Sequence, residues 1–271
     1  MIVADNIRIT DPMIAAAIKR NDPEPIRRIA VQCEAAGADA MDLNPGPLTR
    51  EPDKKMAFLV ETVQEITDLP VLIDTPNPVA MEGGLRANRK KAVINAFTPE
   101  PERIQRILPL AKEYDSDIIG YCLYPNGHVP PDGPERLAMA LELFSAIEKE
   151  GIDPTHLIID PIIVPITWTD GAFHAMEVLS VIREVSNLLG FPVRTIAALS
   201  NLTSVKGPTK TKRLMEKTYL AMLMASGLSM AMLNVFNKEV MQTAAMCEAI
   251  SKSGIFCWEC FDDKSDPGKG R

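Results

Sequence analysis

Six apolar runs in this sequence stop at a carboxylate or a carboxamide. They are residues 40–44 with Asp42 and Asn44, 70–75 with Asp74, 92–95 with Asn95, 157–160 with Asp160, 196–201 with Ser200 and Asn201, and 230–234 with Asn234. Aspartate accepts two hydrogen bonds in one plane, and asparagine both donates and accepts. Such side chains gathered at one place recognise a flat ligand whose edge is rich in N–H donors. They form one site only if the ends of the six runs meet in space.

That condition sets what the rest of the chain must do. Short runs of branched apolar residues with no polar alternation are expected of strands buried on both faces. A first strand is expected over 2–9, and further strands over 38–43, 70–75, 91–95, 117–123, 156–160, 193–199 and 228–234. Helical spacing fills the gaps between them. Ile26, Ile29, Ala30 and Cys33 predict a helix over 25–36 closed by Gly37, and Met56, Leu59, Val60, Val63 and Ile66 predict one over 51–67. A short helix is expected over 78–88. The next opens with a Thr98 hydroxyl cap and Pro101 and buries Ile104, Ile107, Leu108 and Ala111. Leu137, Leu141, Phe144 and Ile147 mark another, ended by Gly151; Val178, Ile182, Val185 and Leu189 mark one ended by Gly190. A polar loop over 201–212 leads to a helix ending near Gly227, and a last helix covers 239–250. Eight strands alternating with eight helices predict one α/β domain over 1–271, a (β/α)8 TIM barrel. In that fold, function gathers at the C-terminal ends of the strands, where these Asp and Asn residues fall.

Composition excludes several classes. A net charge of -7 without a basic stripe argues against nucleic acid. The N-terminus lacks a positive region and an apolar core, so a cytoplasmic protein is expected. The uncharged stretch 219–236 is broken by Gly227 and Ser229 and is not read as a membrane span. Five scattered cysteines do not form a disulfide framework, and Cys257 and Cys260, a CxxC without a second ligand pair, are expected to be reduced packing thiols. Of three histidines, His128 falls in a loop, His156 at the entrance of a strand and His174 near a helix start, which does not assemble a metal-dependent hydrolase. No protein-bound metal is expected. No strand ends in lysine, against Schiff-base chemistry, and Ser200 has no histidine partner for acyl transfer. Lys206, Lys210, Lys212 and Arg213 follow the seventh strand, as a solvated loop or as contacts for a ligand's carboxylate tail or an acidic partner.

Taken together, Met41-Asp42-Leu43-Asn44-Pro45-Gly46-Pro47, Leu72-Ile73-Asp74-Thr75, Ile94-Asn95, Ile159 to Pro165, Leu199-Ser200-Asn201 and Tyr219 to Met222 resemble the methyltetrahydrofolate:corrinoid methyltransferases, relatives of dihydropteroate synthase. The resemblance implies a pterin-binding barrel in which Asp74, Asn95 and Asp160 hold the pterin ring and Asn201 lies beside N5 of the folate. It implies tetrahydrofolate or 5-methyltetrahydrofolate as substrate, a corrinoid (cobalamin) carried by a separate partner protein, and a homodimer. Asp5, Asp42, Asn44, Ser200 and Asn234 are further candidates to line the site. Methyl transfer between N5 and cobalt is a direct displacement, so no protein nucleophile is needed. The family's Gly-Glu-Arg-x-Asn opening is replaced here by Ala4-Asp5-Asn6-Ile7-Arg8, so on the first strand only Asp5 is carried over. Two other readings stand beside this one. Dihydropteroate synthase would carry Arg-x-His where this chain has Asn234-Val235-Phe236, and a non-catalytic folate or pterin carrier would use the same pocket.

Overall fold

The computed structural model describes residues 1–251. Eight parallel strands close a barrel in sequence order: β1 (Ile2–Arg8), β2 (Ala40–Asn44), β3 (Val71–Asp74), β4 (Val93–Phe97), β5 (Asp117–Tyr121), β6 (Leu157–Asp160), β7 (Arg194–Ala198) and β8 (Met230–Leu233). β8 pairs back onto β1 through Ile2 opposite Ala231 and Ala4 opposite Leu233. The predicted (β/α)8 barrel is therefore the fold of this chain.

The outer ring contains nine α-helices among the described residues: α1 (Pro12–Arg20), α2 (Pro23–Ala35), α3 (Pro52–Gln64), α4 (Pro78–Ala87), α5 (Pro101–Glu113), α6 (Gly133–Glu150), α7 (Gly171–Leu189), α8 (Thr209–Ala225) and α9 (Lys238–Ser251). Proline stands in the first turn of each of the first six, where its missing N–H costs no helical bond and its fixed φ suits the helix. None of the helices among the described residues is long and apolar enough to cross a membrane.

Four expectations about the helices are corrected. Helix α1 was not expected. Asp11 caps it by accepting from the Met13 and Ile14 amides at 2.8 and 3.3 Å, and it buries Ile14, Ala17 and Ile18. Helix α5 starts from Glu100 rather than from a Thr98 cap, because Pro101 sets the first helical φ two residues later. Helix α6 is turned relative to the predicted stripe. It buries Arg136, Met139, Ala140, Leu143 and Ile147, while Leu141 is 45% exposed. The signal was masked because a buried arginine occupies one position of the true stripe. Helix α8 begins at Thr209, inside the predicted loop, and Leu199–Thr203 form a 3-10 turn. Cys257 and Cys260 lie outside the described residues.

Strand pleating decides what points into the barrel. Val3, Ala40, Leu72, Val93, Ile119, Ile158, Ile196 and Met230 fill its interior as one apolar cluster. The other strand faces, with Met41, Leu43, Ile73, Ile94, Ile118, Ile159 and Ala197, pack outward against the helices. Each buried branched side chain contributes about 1.5–3 kcal/mol by leaving water. At the N-terminal end of the barrel Asp117 takes Arg194 at 2.6 Å and Lys91 at 2.9 Å. His156 lies at that end, its ring facing the Ser116 carbonyl at 3.2 Å.

Candidate active site at the barrel mouth

Two residues beyond the apolar layer, the same pleat brings the next inward-facing side chains of each strand: Asp5, Asp42, Asp74, Asn95, Tyr121, Asp160, Ala198 and Met232. Polar groups occupy six of these eight places, on β1 to β6, and this polarity turns the end of a packed core into an acidic floor. Asp5, Asp42, Asn95 and Asp160 are 9%, 2%, 3% and 7% exposed, respectively, so their preferences are set by one another rather than by water.

The side chains are tied in two short chains. Tyr121 donates its hydroxyl to Asn95 Oδ1 at 2.7 Å, and Asn95 Nδ2 donates to Asp42 Oδ1 at 3.0 Å. The amide of Asn95 is thereby fixed in orientation, with one N–H left to give. In the second chain Asn44 Nδ2 donates to Asp74 Oδ2 at 2.5 Å, while Asn44 Oδ1 accepts from the Gly46 amide at 3.1 Å. Gly46 has φ 73°, a conformation that favours glycine, and its carbonyl accepts the Thr75 hydroxyl. Sequence reading placed Asn44 in the site; the structure makes it the strut for Asp74.

Asp160, in register with Tyr121 across β5 and β6, accepts the Ile162 amide at 2.8 Å through Oδ1. Asp5 accepts Arg8 at 3.0 Å and the Ser200 hydroxyl at 2.9 Å, which fastens the 3-10 turn after β7 onto β1. Asn201 is the next residue in that turn; its side chain is exposed and makes no hydrogen bond among the described residues. Asn234 sits apart from the acidic floor, at the β1–β8 rim, where it accepts from Asn6 Nδ2 at 2.7 Å.

Burial dominates the electrostatics. It lifts the Asp74 carboxyl to about 7, against the hydrogen bond from Asn44, and lifts Asp160 to about 7, against the Ile162 amide and the charge of Arg136. Asp42 is raised well above the usual carboxylate range by burial and by the neighbouring Asp74 charge. Asp5 is also raised by burial, opposed by Arg8. The Tyr121 phenol is pushed up by burial and by the charges of Asp74, Asp160 and Asp42.

Three contributors escaped sequence reading. Tyr121 falls inside the strand expected over 117–123 and was assigned no role there. Arg103 on α5 donates to the Pro76 carbonyl at 2.6 Å and lowers both Asp74 and Tyr121 by its charge. Arg136, fully buried on α6, donates to the Pro130 carbonyl at 3.2 Å and meets His174 Nδ1 at 2.7 Å. The only signal for them was the strand period for Tyr121, which shares the inward phase of Ile119. Among the described residues no three His, Cys, Asp or Glu side chains converge as a metal-ligand set.

The mouth therefore offers buried carboxyl and carboxamide groups, of which Asp5 alone is ion-paired by the described residues. Comparison with known proteins points the same way. A family model described as pterin binding enzyme matches residues 8–234. A methylcorrinoid:tetrahydrofolate methyltransferase of Eubacterium limosum is 20% identical over 260 residues, spanning 95% of this chain and 93% of its own. Among solved structures, Yersinia pestis dihydropteroate synthase bound to a pterine-sulfa conjugate superposes with a TM-score of 0.68 at 14% identity, over 92% of each chain. The same enzyme in a sulfonamide complex gives 0.66 at 13% identity, over 92% of this chain and 93% of its own. At these identities the two structures establish the fold.

Proposed function

The chain belongs to the pterin-binding enzymes, and from that membership we propose that it is a methyltransferase acting between a corrinoid protein and N5 of tetrahydrofolate. The observation that carries this reading is the set of unengaged hydrogen-bonding atoms at the mouth. Asp74 keeps Oδ1 and Asp160 keeps Oδ2 free of the hydrogen bonds described above, and Asn95 keeps one N–H. A pterin's 2-amino group and ring N–H are parallel donors on one edge, which a carboxylate accepts bidentately in a water-poor pocket. In this reading Asp74, Asn95 and Asp160 hold the pterin, Asp5, Asp42, Asn44 and Ser200 support them, and Asn234 closes the far rim. Tyr121 orients the Asn95 amide.

The chemistry asks little more of the protein. In transfer toward the folate, the N5 lone pair attacks the methyl carbon, the carbon–cobalt bond breaks with its electron pair left on cobalt, and N5 then loses its proton. An amide beside N5 accepts from the charged amine or donates to the neutral one without changing charge itself. Asn201 is the residue for that role, on an exposed turn tethered through Ser200 to Asp5. The E. limosum relative's name supports the direction from methylcorrinoid to folate. Its name also supports a corrinoid protein as partner, and a cytoplasmic homodimer completes the proposal.

The likeness to dihydropteroate synthase is one of fold, and Asn234-Val235-Phe236 lacks the two cationic side chains that would meet a pyrophosphate leaving group. The test is to mix the protein with methylcobalamin and tetrahydrofolate, free and with candidate corrinoid proteins, and to follow the cobalt absorbance. Turnover is expected, with Asn201→Ala lowering it by about 10-fold or more while folate affinity changes less, and Asp160→Ala abolishing binding. Tight folate binding with no spectral turnover would mark a carrier instead, and turnover at the wild-type rate in Asn201→Ala would remove the amide from the mechanism.

A further inference from the structure

Arg136 is the one buried cation among the described residues. It stands in the first turns of α6, and its hydrogen bonds all go to neutral groups. Nε donates to the Pro130 carbonyl at 3.2 Å, Nη1 donates to the His174 carbonyl at 3.3 Å, and Nη2 meets His174 Nδ1 at 2.7 Å. A guanidinium only donates, so Nδ1 accepts and this imidazole is uncharged, its own proton on Nε2. Arg136 forms no ion pair with a described residue, and a charge taken into the interior without an ionic partner is costly. Besides His174, four ionisable groups share its field: Cys122 after β5, Tyr219 on α8, Glu177 on α7 and Asp160 at the end of β6. Burial pushes the Cys122 thiol and the Tyr219 phenol up, so both are uncharged at neutral pH. Glu177 is half-buried, and its Oε2 accepts the Gly133 amide at 2.5 Å at the head of α6. Asp160 is buried and joined to this group through Cys122, whose amide donates to the Asp160 carbonyl at 2.9 Å. It is the carboxyl for which water screens Arg136 least.

We propose that Arg136 is a positioning residue for the pterin: its guanidinium is the buried countercharge that keeps Asp160 a carboxylate, the form that accepts the N–H donors of the pterin edge. The inference rests on the role proposed for Asp160. A protonated carboxyl would turn an O–H against those donors, and Oδ1 already accepts the Ile162 amide. Burial alone drives Asp160 toward the protonated form, and an opposite charge drives it back. Arg136 supplies that charge from beyond ion-pair distance, its fork held by Pro130 and His174. The distance is part of the arrangement. A contact ion pair would consume Asp160 Oδ2, whereas a charge set farther off stabilises the carboxylate and leaves that oxygen for the ligand. Arginine suits the place because its own charge does not titrate.

The experiment has two readouts on the whole protein. One is the pH titration of carboxyl carbons in protein labelled with carbon-13 aspartate, the Asp160 signal being the one lost in Asp160→Asn. The other is the calorimetric affinity for 5-methyltetrahydrofolate from about pH 6 to about pH 9. In Arg136→Gln the Asp160 signal is expected to titrate about one pH unit higher than in the wild type. Binding should then be about fivefold weaker near pH 7, as the smaller ionised fraction requires, with the difference closing by about pH 9. Arg136→Lys keeps the charge and loses the fork to Pro130 and His174. It should follow the wild-type titration even where its melting temperature falls, a split that packing alone would not produce. An Asp160 signal in Arg136→Gln that titrates at the wild-type pH would overturn the inference, as would an affinity that stays flat across the Asp160 titration. Where Arg136→Gln does not fold, Arg136→Lys decides: a raised Asp160 titration, or an equal loss of affinity at every pH, would assign Arg136 to packing. Wild-type protein that binds 5-methyltetrahydrofolate at no pH would instead bring down the proposed function on which the inference rests.

Discussion

Asp160 shows how a single residue is made suitable for recognition at the expense of stability. Buried at the end of β6 and lifted from 3.8 to about 7, it holds a proton in the folded state over a pH range where the unfolded chain has already released it. The folded state then binds more protons than the unfolded, so this carboxyl favours folding below pH 3.8 and its contribution is lost as pH rises through 7. Asp160→Asn is therefore expected to raise stability by about 1–3 kcal/mol at pH 8, with the gain shrinking toward pH 4, while weakening ligand binding. Thermal melts of both proteins across that pH range check it; an unchanged or lowered stability at pH 8 would contradict the burial argument. Asp74 and Asp160 were legible in the sequence because a carboxylate ending an apolar run has few structural reasons to be there. Tyr121, Arg103 and Arg136 were not, since their roles come from neighbours on other elements and each alone resembles an ordinary amphipathic residue.

Among the elements, the strands were more legible than the helices. A strand buried on both faces announces itself by composition, and the barrel's register then follows from closure. The helices depend on which stripe faces inward, and α6 hid its stripe behind Arg136, while α1 was overlooked in spite of the Asp11-Pro12 start signal. Helices α3 and α4 pack closely against each other. A Cβ built at Gly83 would stand 2.5 Å from both the Cα and the carbonyl oxygen of Asp53, far inside van der Waals contact and against backbone that cannot rotate away. Gly83→Ala is expected to push α4 off α3 and cost about 2–3 kcal/mol, read as a lowered denaturant midpoint. A midpoint within error of the wild type would show that the two helices are not held at that distance in solution. Such a glycine in mid-helix reads in sequence only as a weak helix former; its purpose is spatial.

At the scale of the molecule, the two ends of the barrel do different work. The N-terminal end is closed by Asp117 with Arg194 and Lys91, an arrangement in which opposite charges are satisfied. Arg194→Met should destabilise the protein by about 1–3 kcal/mol by leaving a largely buried carboxylate with Lys91 alone, and it should leave the proposed methyl transfer unchanged in rate because it lies at the end of the barrel away from the mouth. Parallel measurement of the melting transition and of cobalt absorbance tests both halves, and a variant with normal stability but impaired turnover would refute this division. The opposite end carries acids gathered over the floor and, displaced to the β1–β8 side, the cations Arg8, Lys212 and Arg213. That separation gives the mouth a lateral electric dipole. For a ligand with a donor-rich edge, such a field exerts a torque before any contact is made, turning that edge toward the carboxylates. Arrival in the productive sense is then partly settled during diffusion, and the fraction of encounters that must be discarded should grow as salt collapses the field.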